Sequence, residues 1–356
     1  MKNALKRLNN RQEKILEILE KGEPFSISGL IEKLETTFSE ISKATISRDL
    51  ESLIDSGFVI RQGKGRSTVN KISEHYNLVK SIDKETYFKI EADKRESKDR
   101  FDFSIFSFLN NIFTLSEKEY LKKVNEKYQR NNKNISKALQ KTEFERLMIE
   151  LSWKSSQIEG NTYTLLETES LIRENKEADG HKKEEATMIL NHKKALEYIR
   201  KNKNLFKKIS VAKIEDIHFL LTQNLKISRG LRKSPVGIVG TKYRPLDNQF
   251  QIKEALEKTC KLVNNEKDYF AKAIILSVMI AYIQPFEDGN KRTSRMISNA
   301  ILMAYDICPL SYRSVDELEY KKAVILFYEQ NNISYFKQLF IEQFKFAVDN
   351  YFLSGK

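Results

Sequence analysis

Residues that interrupt regular structure are scarce in this sequence. It contains 12 glycines and 5 prolines among 356 residues, well below the usual combined share of about 12%. That shortage excludes collagen-like and low-complexity architectures and favours helices. Apolar residues make up 40% and aromatic residues 10% of the chain, which is enough to build a hydrophobic core. A prior of roughly 150 residues per domain predicts two or three domains.

Cysteine, histidine and long apolar runs are scarce as well. The two cysteines, Cys260 and Cys308, lie in apolar helical contexts, and the four histidines are not spaced as metal ligands. Two distant thiols make neither a disulfide framework nor a zinc site, so we expect a reducing compartment. The longest largely apolar run, residues 271–283, is too short to span a bilayer, and the N-terminus lacks the apolar stretch of a signal peptide. We therefore expect a cytoplasmic protein with no membrane partner.

Basic residues outnumber acidic ones by 62 to 49, which gives a formal net charge of +13. A basic balance of this size suits a polyanionic partner such as nucleic acid or the phosphates of a nucleotide. Lysine-rich solvated surfaces produce the same net charge, so charge alone does not choose between these interpretations.

The first 78 residues predict a small domain of three helices followed by a hairpin. Ser42 is placed to cap the third helix and Gly57 to end it, and two short strands, 58–60 and 67–69, flank a glycine-containing loop. The side chains placed to face DNA are Lys43, Thr45, Ser47 and Arg48 in the third helix and Lys64 and Arg66 in the loop.

Residues 42–66, SKATISRDLESLIDSGFVIRQGKGR, resemble the recognition helix and wing of DeoR-type winged helix-turn-helix proteins. The resemblance implies binding to double-stranded DNA, since the start of a recognition helix faces base edges and a basic wing faces phosphate. A small helical module that binds protein, or that only orients the rest of the chain, would give the same pattern, and glutamates offset many of the lysines here.

Residues 79–135 are predicted to form a linker and helical region. The run at 87–90 fits a short strand. Ser116 is predicted to open a helix that runs through Tyr128, and the polar residues 131–134 are predicted to form a loop.

From about Ser136 onward helical periodicity dominates, so the fold class is mainly α. The predicted helices cover residues 143–156, 165–174, 184–201, 211–225, 253–264, 270–283, 290–305 and 316–327. Residues 236–245 are the exception, because their alternation and two glycines predict a β-hairpin or flap.

The most informative stretch is residues 281–295, AYIQPFEDGNKRTSR. A buried helix is predicted to end near Pro285, and a second helix to begin near Asn290 after a tight acidic loop. The free N–H groups of a helix N-terminus bind anions, Asp288 could hold a Mg²⁺ ion that bridges phosphates, and nearby arginines could neutralise the remaining charge. An ordinary Asp/Gly loop before a basic helix start is the alternative interpretation.

Three segments resemble Fic (Fido) domain proteins. Residues 284–295, QPFEDGNKRTSR, resemble the signature loop HPFxDGN(G/K)RxxR. Residues 155–161, SSQIEGN, resemble the motif [S/T]xxxE[G/N] of members whose inhibitory helix precedes the core. Residues 236–245 resemble the flap on which an extended target segment docks. Together they cover roughly residues 136–346.

This resemblance implies an all-helical Fic core over residues 136–350, with an inhibitory helix near 148–160 and a β-hairpin flap. It implies transfer of AMP from ATP to a serine, threonine or tyrosine hydroxyl of a protein target, with Mg²⁺ as cofactor, and self-association as a homodimer. The implied roles are metal binding by Asp288; phosphate binding by Gly289, Asn290, Lys291, Arg292 and Arg295; inhibition by Ser155, Glu159 and Gly160; and target docking by Gly240, Thr241 and Tyr243.

Two positions depart from the family pattern. Gln284 stands where the family has its general base, a histidine, and an amide cannot take a hydroxyl proton near neutral pH. Positioning by the rest of the site, including Arg292 and Arg295, could sustain slower transfer. Lys291 stands where AMP-transferring members usually have glycine and resembles the Doc toxin branch, which transfers phosphate, although Arg295 argues against a full match.

Three functions therefore remain open. The first is an adenylyltransferase inhibited by Glu159 and attenuated or altered by Gln284. The second is a catalytically inactive, nucleotide-sensing regulator that binds DNA. The third is phosphotransfer, or removal of AMP by a water molecule that Glu159 positions.

Overall fold

The fold is described from a computed structural model, which describes residues 8–39 and 41–354. The chain divides into two compact units. The first contains the described residues up to Ser81 together with Ser107–Lys118, and the second contains Ile82–Phe106 and the described residues from Glu119 onward. No helix in the described ranges is long and apolar enough to cross a membrane.

The N-terminal unit contains helices and one hairpin in the order expected from its caps. The elements are α1 (Asn10–Glu20), α2 (Ile27–Leu34), α3 (Lys43–Asp55), β1 (Val59–Gln62), β2 (Val69–Ile72) and α4 (Glu74–Val79). The side chains of Ser26 and Ser42 accept backbone N–H groups at the starts of α2 and α3, which satisfies donors that a helix leaves unpaired. β1 and β2 pair antiparallel, one to three residues later in the chain than predicted.

A small apolar core holds these elements together. Its fully buried members come from all three leading helices and include Ile15, Leu30, Leu34, Ile46, Leu50 and Leu53. Because they recur at helical spacing, one face of each helix is buried and the other is free to be polar. The assignment of this unit as a winged helix-turn-helix stays a prediction.

The rest of the chain is mostly helical. In chain order its helices are α5 (Lys84–Lys89), α6 (Ile105–Phe108), α7 (Leu115–Asn134), α8 (Lys137–Gln157), α9 (Leu165–Glu174), α10 (Lys183–Lys201), α11 (Val211–Thr222), α12 (Gln249–Asn265), α13 (Tyr269–Ile283), α14 (Asn290–Ala304), α15 (Glu317–Gln330) and α16 (Ser334–Asn350). Helix α13 is apolar around its whole circumference and buried from Ala271 to its end, as expected of a central core helix. It packs against α12, α14 and α15, and α14 also packs against α8, α10 and α11.

Three local predictions are wrong. Residues 87–90 fall on α5 and the turn after it, because the Asp83 carboxylate accepts the N–H groups of Glu85 and Thr86 and starts a helix; a short apolar run does not distinguish the two states. Residues 131–134 continue α7, since polar residues without glycine or proline need not end a helix. Residues 236–245 form no hairpin; in the described ranges their β-type pairing is one parallel bridge, Arg100 with Arg244.

Candidate active site

The loop between α13 and α14 is fixed by two residues in left-handed conformations. Gln284 ends α13 with φ 50°, and Gly289 precedes α14 with φ 79°. A Cβ atom on residue 289 would lie 3.2 Å from Cγ2 of Thr222, so both the backbone angle and the close approach favour glycine there. The loop therefore delivers the free N–H groups of α14 to one defined place.

Asn290 and His218 hold the middle of this loop. The Asn290 side chain accepts the N–H of Phe286 at 2.9 Å and donates to its carbonyl at 2.8 Å. The buried Phe286 ring stacks on His218 with centroids 3.7 Å apart. His218 Nε2 lies 3.0 Å from the carbonyl of Asp288, so Nε2 carries a proton and donates. Burial lowers the pKa of His218 to about 4, which keeps the ring neutral.

Arg292 has the chemistry of an anion ligand. Its side chain is 2% exposed and its Nη2 donates to Asp288 Oδ2 at 3.1 Å. Its Nε and Nη1 atoms are buried and have no hydrogen-bond partner in the described part of the chain. Burial lowers the pKa of Arg292, but an arginine side chain stays charged. Two orphaned donors on a buried cation are costly, and phosphate oxygens would satisfy them.

Arg295 is buried against the segment that resembles the inhibitory motif. Its Nη2 donates to Glu159 Oε1 at 2.8 Å and to the carbonyl of Ser155 at 2.9 Å, and its Nε donates to Ser155 Oγ at 3.0 Å. Glu159 Oε2 also lies 3.9 Å from Lys291 Nζ. Burial acts to raise the pKa of Glu159, but the charges of Arg295 and Lys291 outweigh it and lower that pKa. Helix α8 ends at Gln157, so Glu159 lies in the turn after the helix, before Gly160 at φ 93°.

Gln284 is held at both its side chain and its backbone. Its Nε2 donates to the carbonyl of Ala281 at 2.7 Å and to Tyr328 Oη at 3.3 Å. Its backbone carbonyl accepts from Arg232 Nε at 2.6 Å. The amide consequently has a defined orientation at the wall of the site.

A cavity of about 460 Å³ lies against the loop before α14 and the Glu159 turn, a volume typical of small-molecule sites. Its lining combines Glu159, Gly160, the loop residues Gln284, Glu287, Asp288, Gly289, Asn290 and Lys291, the segment 236–239, and Tyr320, Lys321, Val324, Ile325 and Tyr328 of α15. The structure thus brings the loop, the Glu159 segment and residues 236–239 together around one space.

The flap segment has an exposed tip and an anchored base. Val239 is 96% exposed, whereas the Gly240 carbonyl accepts from the buried Arg95 Nη2 at 2.6 Å. Thr241 Oγ1 accepts the N–H of Tyr243, and the buried Tyr243 donates its hydroxyl to the carbonyl of Tyr282 at 2.8 Å. The alternating sequence pattern wrongly predicted a hairpin, because these contacts anchor the segment to other parts of the chain and not to a partner strand.

Arg232 was missed by sequence reasoning. Its fully buried guanidinium donates to the carbonyls of Ser234, Leu246 and Gln284, and thus ties both ends of the flap to the signature loop. Arg232 lies in the basic run RGLRKS, and nothing in such a run distinguishes a buried arginine from a solvated lysine or arginine. His218 was missed because a lone histidine on an apolar helix face is usually a core residue.

The predicted DNA-facing residues lie in the N-terminal unit. Lys43 and Arg48 are exposed on α3, Thr45 and Ser47 are half-buried there, and Lys64 is exposed in the hairpin loop. The Arg66 side chain lies outside the described residues. The hairpin loop contains a short 3₁₀ turn, Gly65–Ser67. This geometry places four of the residues on one helix and one in the loop.

Comparison with known proteins identifies the domain. Residues 208–302 match the model of the Fic/DOC family. Among solved structures, Fic-1 (residues 134–508) from C. elegans aligns with a TM-score of 0.58 at 19% identity, covering 66% of this chain and 72% of that one. A Fic domain containing signaling protein from Bacteroides thetaiotaomicron aligns with a TM-score of 0.54 at 17% identity, covering 64% and 95%. The chain therefore contains a Fic/Fido domain.

Curated relatives are named as adenylyltransferases. The "Protein adenylyltransferase Fic" of Nematostella vectensis is 29% identical over 181 residues, which are 47% of this chain and 40% of that protein. A "probable protein adenylyltransferase" of Aquifex aeolicus is 31% identical over 108 residues, 30% of this chain and 33% of that protein. The chain thus spans 40% or less of the length of these two relatives.

Proposed function

We propose that this chain is a Fic-type protein adenylyltransferase, which moves AMP from ATP to the hydroxyl of a protein side chain. The observation that carries the proposal is Arg292, a buried cation with two donors that lack a partner in the described residues, beside the N-terminus of α14. A polyphosphate supplies oxygens to such donors. The names of the relatives support adenylyl transfer over other uses of this site.

The roles of the site residues follow from this proposal. Arg292 and the N-terminus of α14 hold the phosphates, and Arg295 reaches the terminal phosphate once Glu159 leaves it. The Asp288 carboxylate is 70% exposed at the site, and a single protein carboxylate combined with substrate phosphates is a common way to hold Mg²⁺. That ion would neutralise phosphate charge when bound.

The chemical step leaves one proton without a protein acceptor. The hydroxyl oxygen forms a bond to the α-phosphorus, the bond from that phosphorus to the bridging oxygen breaks, and pyrophosphate leaves. The hydroxyl proton cannot pass to Gln284, because an amide is not basic near neutral pH. It passes to water instead, and we expect transfer to be about 10²- to 10⁴-fold slower than with a histidine base.

Glu159 inhibits this reaction in the proposal. Its carboxylate bridges two cations, Arg295 at 2.8 Å and Lys291 at 3.9 Å, and so neutralises the charge that a terminal phosphate would use. ATP therefore binds more weakly while Glu159 is paired in this way, because the ion pair must break before ATP can adopt the pose required for transfer.

Labelled ATP tests the proposal. Wild-type protein, Glu159→Gly and Glu159→Gly with Gln284→His are incubated with Mg-ATP labelled at the α- or the γ-phosphate, and protein-bound label is counted. We expect α-label in the Glu159→Gly protein, little in wild type, and more when Gln284→His is added. The matched control adds Arg292→Leu to Glu159→Gly and should remove the label. Label from the γ-phosphate on the protein would indicate phosphotransfer, as the resemblance of Lys291 to the Doc branch implies, and would contradict the proposal.

A second candidate function is a nucleotide-sensing regulator that binds DNA. Two observations favour it: Gln284 replaces the base, and the N-terminal unit has three helices and a hairpin with exposed Lys43 and Arg48. ATP binding without any label, combined with salt-dependent binding to promoter-upstream DNA, would support this function over transfer. Removal of AMP, with Glu159 positioning water, would instead require release of AMP from a modified protein by wild type but not by Glu159→Gly.

A further inference from the structure

A second buried histidine, His192 on α10, lies behind Arg295. Its side chain is fully buried. Its Nδ1 lies 2.8 Å from the carbonyl of Met188, and since a carbonyl only accepts, Nδ1 carries the proton. Burial lowers the pKa of His192 to about 3, so the ring is neutral and Nε2 is left as an acceptor.

Ser155 connects this histidine to Arg295. Ser155 Oγ lies 2.9 Å from His192 Nε2, and Nε2 can only accept, so the hydroxyl donates its single proton there. The oxygen lone pairs of Ser155 are then available to Arg295 Nε at 3.0 Å. Every hydrogen-bond direction from Met188 to Arg295 is thereby fixed by one tautomer.

Arg295 consequently has two sets of anchors. Nη2 donates to Glu159, but Nε and Nη2 also donate to Ser155 Oγ and to the Ser155 carbonyl. Only the hydrogen bond to Glu159 breaks when that residue leaves. The two hydrogen bonds to Ser155, together with the Tyr320 ring, whose centroid lies 5.3 Å from Arg295 Cζ, then keep the guanidinium in its orientation. An unanchored guanidinium would have to be ordered by the ligand at the expense of affinity.

We propose that His192 is a positioning residue, which holds Arg295 in place for the terminal phosphate through the hydroxyl of Ser155. This inference rests on the proposed nucleotide site and deepens it. It separates two parts of the SSQIEGN segment: Glu159 blocks the arginine, and Ser155 orients it.

The test measures nucleotide affinity by calorimetry in the Glu159→Gly protein. We expect His192→Leu to raise the Kd for ATP about tenfold, as typical for lost hydrogen bonds to a charged group, and to leave the Kd for AMP unchanged, because AMP has no terminal phosphate at Arg295. His192→Gln, whose amide oxygen can accept from Ser155, should restore part of the affinity. The half-buried His181→Leu is the matched control and should change neither Kd.

Ser155→Ala provides a smaller change that tests the same link. If His192 acts through Ser155, the double variant binds ATP no more weakly than either single variant. Additive losses, equal losses for ATP and AMP, or an unchanged Kd for ATP in His192→Leu would overturn the inference while the nucleotide site stands.

A measurement without nucleotide keeps the inference independent of binding. In ¹⁵N-histidine NMR spectra of the full chain, the proposal requires a neutral His192 with its proton on Nδ1. A proton on Nε2 would reverse the donor at Ser155 and refute the inference. If the tautomer is as expected but the Glu159→Gly protein binds no ATP, the proposed function fails and the phosphate role of His192 fails with it.

Discussion

Positive charge is presented in two different ways in this molecule. At the start of α14, Arg292 and Arg295 are 2% and 0% exposed, and each guanidinium is oriented by hydrogen bonds, Arg292 by Asp288 and Arg295 by Ser155 and Glu159. On α3 of the N-terminal unit, Lys43 and Arg48 are exposed. A buried guanidinium recognises an anion by shape and direction, whereas an exposed one offers charge that salt screens. Sequence composition counts the two kinds equally.

The largest expected contrast is in nucleotide affinity. Arg292→Lys in the Glu159→Gly protein keeps the charge but removes the planar donors, and we expect the Kd for ATP to rise by about 30-fold or more, the cost of truncating a buried charged partner. Arg48→Lys in the same background should leave the Kd unchanged. Calorimetry measures both. Equal behaviour of the two variants would mean that the buried arginine contributes charge only.

A glycine-to-alanine substitution in each region compares how tightly the two loops are packed. Gly289→Ala requires a left-handed alanine and places its Cβ 3.2 Å from Thr222, so we expect a loss of about 2–3 kcal/mol in unfolding free energy. Gly65→Ala in the hairpin loop also requires a left-handed alanine, at φ 60°, but its Cβ meets nothing within 4 Å in the described residues, and we expect about 1 kcal/mol. Urea unfolding of both variants checks this; a larger loss at Gly65 would contradict the packing argument.

The Glu159 ion pair should make stability depend on pH. Its folded-state pKa is lowered below the ordinary 4.5, so the carboxylate adds stability that is present above pH 4.5 and is lost as pH falls through the lower folded-state pKa. We expect Glu159→Gln to cost about 1–2 kcal/mol at neutral pH and the difference from wild type to shrink below pH 4.5.

The control for this prediction is an exposed pair. Glu145 lies 3.1 Å from Arg173, with side chains 33% and 41% exposed, and Glu145→Gln should cost less than about 1 kcal/mol at any pH. Denaturant unfolding of the three proteins between pH 7 and pH 3 measures the differences. A Glu159 difference that stays constant over that range would refute the ion-pair explanation.

What the sequence predicts well are features with a strict local cause. Helix starts follow from caps such as Ser42. The loop before α14 follows from Gly289, which lacks a Cβ and so adopts φ 79° without strain, and from Asn290, whose amide bonds the backbone of Phe286. The ion pair of Glu159 with Arg295, which the family motif implies, is present in the structure, and the inhibitory role of Glu159 stays a prediction. These signals are short in sequence and depend little on distant contacts.

Features that depend on distant contacts could not be predicted. The flap was wrongly predicted as a hairpin, because its anchors, Arg95 and Arg232, come from other parts of the chain. His192 gives no signal, since its role depends on Ser155, 37 residues earlier. In each case the sequence is compatible with several contacts for one side chain, and tertiary packing decides which of them forms.

The smallest expected effect concerns the exposed cations. If the N-terminal unit binds DNA, Lys43→Gln, Arg48→Gln and Lys64→Gln should each weaken binding modestly and reduce the slope of log K against log salt by about 0.9 for each phosphate that is no longer neutralised. Fluorescence anisotropy on promoter-upstream and unrelated duplexes, at several salt concentrations, measures the slope. Arg292→Leu is the matched control and should leave the slope unchanged, because a buried cation is not available to the duplex.

The slope decides what the exposed charges do. A full-chain slope near zero, or one that the three substitutions do not change, would refute DNA binding through α3 and the hairpin. A slope that falls for all three on every duplex would assign these residues to phosphate binding without sequence preference. On the promoter-upstream duplex, a larger loss of affinity for Arg48→Gln than for Lys64→Gln would instead place Arg48 at base edges. Recognition by this exposed cation would then depend on geometry, as it does for the buried arginines of α14.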